Sequence, residues 1–442
     1  MSCIGAGRQR VHPLTPVLRA WMGLTAVLVA VAINSGAAVI SAAAAVSDLA
    51  DGTPLLAVLA VFAGLIAIVA LIAGISYWSW SKRFYELDVE EIRIGSGIFF
   101  RQRRSARYDR LQSVDIKQPL LPRLFGLGEL TLETAGGSGS ALSIAYLKVP
   151  LLESLRTEIL AHAKGEQHDP LPDAHPESTT LNGPVPTRML VGMVLLSFGV
   201  WAVLALIGAG IGSIAGGGIF TFVGGLVGAV VLVWAPLNRR WRQELSLNRE
   251  ERRLRITAGL TSTYKQTIPL HRVHALRIRR PFLWRKPNWA DLNSSIAGYG
   301  LESSGDGATV LVPVDKNAAV DRTVETVLAE VNVGKRDPFL TMYSPPSAKW
   351  VSPVDWRQQS VSLSTGGVEV TWGRLTTRWA FVPWRHIQGA SLQRGPIQKL
   401  LGTANVQAAV VAGPAQVVAR DLSVDDARAL LDEILKDRLD SI

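Results

Sequence analysis

Apolar residues follow two patterns along this chain, long unbroken runs and short alternating segments. A bilayer core requires roughly 20 apolar residues in a helix, and four nearly uncharged runs are long enough to cross it. The pattern predicts a membrane protein with four transmembrane helices in two hairpins, at 17–78 and 189–234. A buried core helix is the alternative for any single run. The runs are Val17 to Val46, Leu55 to Tyr77, Met189 to Ile211 and Ile214 to Trp234.

Basic residues indicate the orientation of these hairpins. The connection from Ser47 to Pro54 contains two aspartates and neither lysine nor arginine, whereas Arg10 precedes the first run and Arg239 follows the fourth. Cytoplasmic flanks of membrane helices are enriched in lysine and arginine. We therefore expect the N-terminus, the C-terminus and everything between the hairpins to face the cytoplasm, in a multi-pass protein of the inner cell membrane.

A short alternating segment occurs three times, as IRIGSG at 92–97, LRITAG at 254–259 and VEVTWG at 368–373. A basic residue follows each glycine at the same distance, and these residues are Arg110, Arg272 and His386. A fixed spacing of this kind indicates a structural repeat. Period-two alternation predicts strands in each copy, and helical spacing over 151–163, 318–331 and 424–439 predicts a closing helix, the last with Ser423 as its N-cap.

These units give the chain a simple predicted order. The repeats extend over 82–164, 241–333 and 350–439, and each of the first two follows a hairpin. The remaining segments are a cytoplasmic tail at 1–16 and linkers at 165–187 and 334–349. The first linker is rich in proline, aspartate, serine and threonine and cannot bury a core, whereas the second has the proline and serine content of a short extended tether.

The first repeat contains the text YDRLQSVDIKQPLLPRLFGLGELTLETAGG, in which an Arg-aliphatic-Gln step precedes a strand and a short apolar loop ending in glycine. In this it resembles the bacterial pleckstrin-homology (PH-like) membrane proteins. The resemblance implies three cytoplasmic PH-like domains, each a seven-stranded bent β-barrel with a C-terminal helix at one end. The second and third copies are divergent, since the loop reads WRKPNW in the second and His386 replaces the arginine in the third.

The chain has a net charge of +10, and much of it lies in two segments close to predicted cytoplasmic membrane ends. Such clusters are attracted to anionic lipid by about 1 kcal/mol per side chain. They predict a surface apposed to anionic lipids; a topology signal without a bound headgroup is the alternative. Neighbouring aromatic and apolar residues, including Phe282, Leu283 and Trp284, are candidates for insertion at the interface. The basic residues are Arg101, Arg103, Arg104, Arg107, Arg277, Arg279, Arg280, Arg285 and Lys286.

The sequence offers little support for catalysis. It contains no H-E-x-x-H motif, P-loop or nucleophile elbow, and its single cysteine, Cys3, gives no basis for a disulfide or a thiol–metal site. His271, His274 and His386 fall at predicted strand starts, where we expect structural histidines. We therefore expect a non-enzymatic protein without a metal or cofactor. Nucleic acid is not an expected partner, because the positive charge follows the membrane flanks.

Two functional hypotheses remain from the sequence. The first is a docking platform, in which the PH-like domains hold a protein partner, a second copy of the chain or anionic lipid, in cell-envelope homeostasis. The second is an accessory subunit of an envelope transport or stress-resistance system, whose hairpins pack against the helices of a partner.

Overall fold

Antiparallel strands dominate the computed structural model of the chain. The structure describes residues 9–16, 63, 70, 74, 77, 78, 80–82, 84–88, 90–96, 102–108, 111–134, 142–164, 178–214, 218–296, 309–331, 333, 336–411 and 413–440. The first predicted hairpin therefore lies almost entirely outside the described residues, as does most of the first predicted linker.

Each repeat is built from seven strands followed by a helix. The first repeat consists of β1 (Gln9–Arg10), β2 (Phe84–Leu87), β3 (Glu91–Ser96), β4 (Gln102–Arg107), β5 (Leu111–Gln118), the short helix α1 (Leu120–Leu124), β6 (Leu127–Thr134), β7 (Leu142–Lys148) and α2 (Val149–Lys164). The alternation of the sequence and the closing helix are both present in this unit.

The second repeat has the same strand order with a helical insertion after its first strand. It consists of β8 (Ser178–Asn182), α3 (Thr187–Val194), a π-helical segment (Leu195–Gly199), α4 (Val200–Gly212), α5 (Gly218–Arg239), β9 (Glu244–Asn248), β10 (Arg253–Ala258), β11 (Thr263–Pro269), β12 (Val273–Pro281), β13 (Trp289–Ile296), β14 (Thr309–Lys316) and α6 (Asn317–Glu330). Short 3₁₀ turns occupy Leu270–Arg272 and Phe282–Trp284.

The third repeat contains no such insertion. It consists of β15 (Pro338–Tyr343), β16 (Ser360–Ser364), β17 (Gly367–Trp372), β18 (Thr376–Pro383), β19 (Gly389–Gln393), α7 (Pro396–Leu401), β20 (Thr403–Ala409), β21 (Val418–Ser423) and α8 (Val424–Asp440), with 3₁₀ turns at Pro346–Trp350, Trp356–Gln358 and Trp384–His386. The Ser423 hydroxyl accepts a hydrogen bond from the Asp426 N–H at 3.1 Å, so Ser423 caps α8 as predicted.

The first strand of every repeat lies in a segment that the sequence assigned to the tail or to a linker. β1 falls in the predicted tail, β8 in the first linker and β15 in the second. β8 has little apolar alternation, since three of its five side chains are exposed, which explains why it was not recognised. The strands β8 and β9 pair directly, so the second helical hairpin occupies the place of a β-turn between two adjacent strands.

Helices α3 to α5 correspond to the second predicted hairpin. No single helix among the described residues is both long and apolar enough to cross a bilayer. The segments Thr187–Gly199 and Trp201–Gly212, which are bent by 43° relative to each other, meet both criteria when taken together. In α4 the large side chains of Trp201, Leu204 and Ile211 are exposed.

Two seven-stranded sheets connect the three repeats. Strands β5–β7 of the first repeat continue into β8–β11 of the second through pairing of β5 with β11. In the same way, β12–β14 of the second repeat continue into β15–β18 of the third through pairing of β12 with β18. The resemblance implied three seven-stranded barrels and left their packing open, so this sharing of sheets between neighbouring repeats was not predicted.

The repeated glycine has a structural explanation in the second and third copies. Gly259 and Gly373 have φ angles of +119° and +90°, which side-chain-bearing residues rarely adopt. A Cβ atom would also collide with the carbonyl oxygen of Ser262 at the first position and of Thr376 at the second. The glycines therefore allow the tight turn between the third and fourth strands of each unit.

Candidate functional site

The first predicted basic cluster lies on the outermost strand of its sheet. Arg103, Arg104 and Arg107 belong to β4, which pairs with β3, and Arg104 and Arg107 are exposed. Arg101 lies outside the described residues. The described part of this cluster is therefore an accessible positive strand, as an electrostatic surface requires.

The second predicted cluster is engaged mainly in contacts within the protein. Arg279 forms an ion pair with the buried Asp291, with Nη2 and Oδ2 2.6 Å apart, and Arg280 Nη2 donates to Asp321 at 2.9 Å. Arg285 donates to the main-chain oxygen of Arg374 in the third repeat and to Thr377 Oγ1. Most of these side chains thus hold the second repeat together or hold it against the third.

Lys286 is exposed, and Arg277 lies at the rim of a cleft between the second and third repeats. The cleft has a volume of about 290 Å³. Arg277 Nη1 donates to the carbonyl oxygen of Pro414 at 3.0 Å, which positions its guanidinium over the loop that precedes β21. The lining residues are Arg277, Trp372, Arg378, Gly413, Pro414, Gln416, Val418 and Arg420.

Three arginines give this cleft a concentrated positive charge. Arg277 comes from β12, Arg378 from the paired strand β18, and Arg420 from β21, where its guanidinium carbon lies 5.9 Å from the centre of the Trp372 ring. Burial lowers the pKa of Arg378, and the neighbouring Arg279 and Arg420 charges lower it further, while Asp355 opposes the shift. A bound anion would offset this mutual repulsion.

A polar atom of Trp372 also lacks a partner at this site. Its indole Nε1 is buried and has no hydrogen-bond acceptor among the described residues. A buried N–H donor without an acceptor costs about 1–3 kcal/mol. The three guanidinium groups that line the cleft are suited to a phosphate or carboxylate group.

Sequence reasoning identified Arg277 and missed Arg378, Arg420 and Trp372. These residues lie on strands of different repeats and form no local run of charge. Only the pairing of β12 with β18 brings Arg378 beside Arg277 and Arg279. The sequence alone therefore gives no sign that these residues share a site, because the sharing of the sheet is not visible in it.

The apolar candidates near the second cluster have two different environments. Trp284 is fully buried among Leu190, Met193 and other residues at the base of the helical hairpin, and it meets Trp289 edge-on at 6.5 Å. Phe282 and Leu283 are exposed beside it. Trp284 is therefore a core residue that joins α3 to the second repeat, whereas Phe282 and Leu283 remain accessible for an interface.

Three stretches of the chain match the family described as Bacterial PH domain, over residues 17–163, 189–328 and 340–438. The chain is also similar to UPF0699 transmembrane protein YdbT of Bacillus subtilis (strain 168), with 21% identity over 291 residues. The alignment covers 59% of this chain and 59% of that relative, so the chain spans less than two thirds of the relative's length. The resemblance drawn from the repeated motifs is confirmed by these matches.

Proposed function

Because the chain belongs to the bacterial PH domain family, we propose that it is a non-enzymatic, four-span membrane protein whose cytoplasmic domains form a docking platform for anionic groups. The observation that supports this most directly is the insertion of the second helical hairpin between β8 and β9. Short connections at both ends of the hairpin hold the second domain at the base of its helices. Trp284 and Trp289 fill the contact between them.

The shared sheets extend this anchorage to the other two domains. The second domain is joined to the first through β5 and β11 and to the third through β12 and β18. A continuous hydrogen-bonded sheet resists bending more than a flexible linker does. The three domains therefore present their surfaces in a fixed arrangement beside the membrane, which is the property that a docking platform requires.

The arginine-lined cleft is the proposed docking point. Its ligand would carry a phosphate or carboxylate group, on an anionic lipid or on a protein partner, and Arg277, Arg378 and Arg420 would bind that group. We favour the lipid, since the domain that contributes Arg277 is the one held at the hairpin. A protein ligand would instead connect the platform to other components of the cell envelope.

The experiment that tests this proposal measures anionic lipid retained by the purified full chain. Wild type and an Arg378→Gln/Arg420→Gln variant are extracted in neutral detergent, and the bound lipids are quantified by mass spectrometry. We expect the variant to lose most of its bound anionic lipid, because the two changes remove two of three cationic groups. Arg374→Gln is the matched control, since Arg374 is exposed in the turn between β17 and β18 and contacts Arg285 through its main-chain oxygen.

Equal retention by wild type and the double variant would reject the cleft as a lipid site and would direct the search to protein ligands. Thermal unfolding of both proteins confirms that the variant is folded. The topology is tested separately, with reporter fusions after Gly165, Val333 and Ile442 expected to be cytoplasmic and an insertion at Asp51 expected outside. An external C-terminal reporter would contradict the four-span arrangement.

A further inference from the structure

The two junctions between repeats have the same strand register. When the repeats are aligned on Gly97, Gly259 and Gly373, Gln118 aligns with Arg280 and Thr263 with Thr377. Gln118 pairs with Thr263 at the first junction, and Arg280 pairs with Thr377 at the second. The next two pairs correspond in the same way, Lys117–Tyr264 with Arg279–Arg378 and Ile116–Lys265 with Ile278–Trp379.

The same repetition shows that one junction strand at each end of the three repeats has no counterpart from a neighbouring repeat. β4 occupies the position of β11 and β18, and β19 occupies the position of β5 and β12. In the part of the chain that the structure describes, β4 is hydrogen-bonded to β3 alone and β19 to β20 alone. An edge strand presents a row of main-chain donors and acceptors that can template pairing with another chain.

We propose that β19 of one copy of the chain pairs with β4 of a second copy, in the register used at the two internal junctions. The repeat alignment then sets each partner. Gln393 would lie opposite Gln102, Leu392 opposite Arg103, Ser391 opposite Arg104 and Ala390 opposite Ser105. The joint would be antiparallel, and it would continue the arrangement of domains from one copy into the next.

The side chains of β4 correspond to those of an existing junction. At the first junction, Lys265 of β11 forms an ion pair with Glu153 of α2 at 2.9 Å, and Thr267 accepts a hydrogen bond from Arg156 at 2.6 Å. The residues of β4 aligned with Lys265 and Thr267 are Arg103 and Ser105, which again are a basic and a hydroxyl residue. The chemistry of a polar junction is therefore present on the terminal strand.

The charges of the two surfaces also favour pairing of β19 with β4. The helix that packs on β19 is α8, the equivalent of α2, and it carries six acidic and three basic residues. β4 carries three arginines and no acidic residue. Opposite charges across an interface accelerate association and suppress wrong partners. The acidic residues are Asp425, Asp426, Asp432, Glu433, Asp437 and Asp440, and the basic ones are Arg428, Lys436 and Arg438.

A joint of this kind is heterologous, because it uses different surfaces on the two copies. Heterologous contacts produce rings when the rotation between copies closes and open chains when it does not. The alternative role of the β4 arginines is to keep this edge unpaired, since charged side chains commonly protect edge strands from association. These two roles make opposite predictions for a cross-linking experiment.

The test uses single cysteines in the full chain, expressed in membranes on a Cys3→Ser background. Gln102→Cys and Gln393→Cys are placed on separate copies, co-expressed and oxidised. We expect a disulfide-linked dimer on a non-reducing gel from the mixture, and no dimer from either variant alone. Arg103→Cys mixed with Gln393→Cys is the off-register control and should remain monomeric, because successive residues of a strand face opposite sides.

A matched positive control comes from the first junction. Lys117→Cys and Tyr264→Cys in one chain occupy the equivalent pair of positions and should form a disulfide within that chain. If this internal disulfide forms while the mixture of Gln102→Cys and Gln393→Cys stays monomeric, the proposal is wrong and the arginines protect the edge. Cross-linking by Gln102→Cys alone would also overturn it, since that result requires a symmetric contact.

Discussion

The junction between the first and second repeats and the junction between the second and third use one register with different side chains. At the first, the β11 residues Lys265 and Thr267 are bound by polar groups of α2. At the second, the aligned residues are Trp379 and Phe381, which pack into the core of the second repeat. The backbone geometry is therefore independent of the chemistry that stabilises each junction.

This difference has consequences for where the stability of each domain comes from. Phe381 belongs by sequence to the third repeat but is fully buried with Leu276 and Ile278 of the second. The guanidinium of Arg336 lies 4.8 Å from the Trp379 ring centre and 5.7 Å from that of Phe381. The second core is thus completed by its neighbour, whereas the first junction adds one half-buried and one exposed polar contact, and the core of the first repeat is formed by its own residues.

The largest effect is expected at the aromatic junction. Phe381→Ala removes a fully buried ring and should lower the free energy of unfolding by about 3–5 kcal/mol. Hydrogen exchange should show lost protection in β12 and β13 of the second repeat, although the substitution lies in the third. Phe339→Ala is the control, because Phe339 is 58% exposed. Loss of protection confined to the third repeat would contradict the shared core.

Lowering the pH should reduce the free energy of unfolding by a smaller amount, through two histidines at the same junction. His274 and His386 stack with their ring centres 4.1 Å apart. Burial, with the nearby His274 and Arg385 charges, lowers the pKa of His386 to about 4, and burial followed by Arg385 lowers that of His274. The unfolded chain, with histidine pKa values near 6.5, binds these protons more readily.

The contribution of these histidines is therefore complete above about pH 6.5 and is lost as the pH falls toward about 4. After allowance for solvent screening we expect a loss of about 1 kcal/mol, measured by denaturant unfolding at pH 7 and pH 5. His386→Gln should reduce the difference between the two pH values. His162→Gln, at an exposed position, should leave it unchanged. If the His386 variant shows the same pH dependence of unfolding as the wild type, the histidine pair is not its cause.

Effects well below that of Phe381→Ala are also expected at the polar junction. A double-mutant cycle with Arg156→Met and Thr267→Val should give a coupling energy of about 0.5–1.5 kcal/mol, as for a single hydrogen bond. The exposed Lys265–Glu153 pair, tested with alanine at both positions, should give at most about 1 kcal/mol. Coupling larger than the Phe381→Ala effect would reverse the ranking of the two junctions.

The sequence predicted the features that depend on local pattern. The alternation around Gly259 and Gly373, the closing helices and the Ser423 cap are all present in the structure. Each depends on residues a few positions apart, where backbone preference and side-chain capping determine the conformation. The family resemblance rested on the same short-range motifs.

Features that depend on contacts between residues far apart in the sequence were not predicted. β8 has no clear period because its outer face is exposed, and its role as a first strand becomes visible only when it pairs with β9 across the helical hairpin. Arg378 and Arg420 gain their significance from the shared sheet and not from neighbouring sequence. Arg279 was predicted to contribute to an anionic-lipid surface, and its ion pair with the buried Asp291 was not predicted.

The position of the hairpin between β8 and β9 also determines the order in which this protein is assembled. During synthesis, β8 is made first and remains without its neighbour β9 until α3, α4 and α5 have been completed. The second domain can therefore close only after its helices exist, and its core is complete only when β18 supplies Phe381. A fragment that begins after the hairpin, such as 241–333, lacks β8 and leaves one side of β9 open. The sheet of the second domain therefore needs strands from both sides of the hairpin, although they are far apart in the sequence.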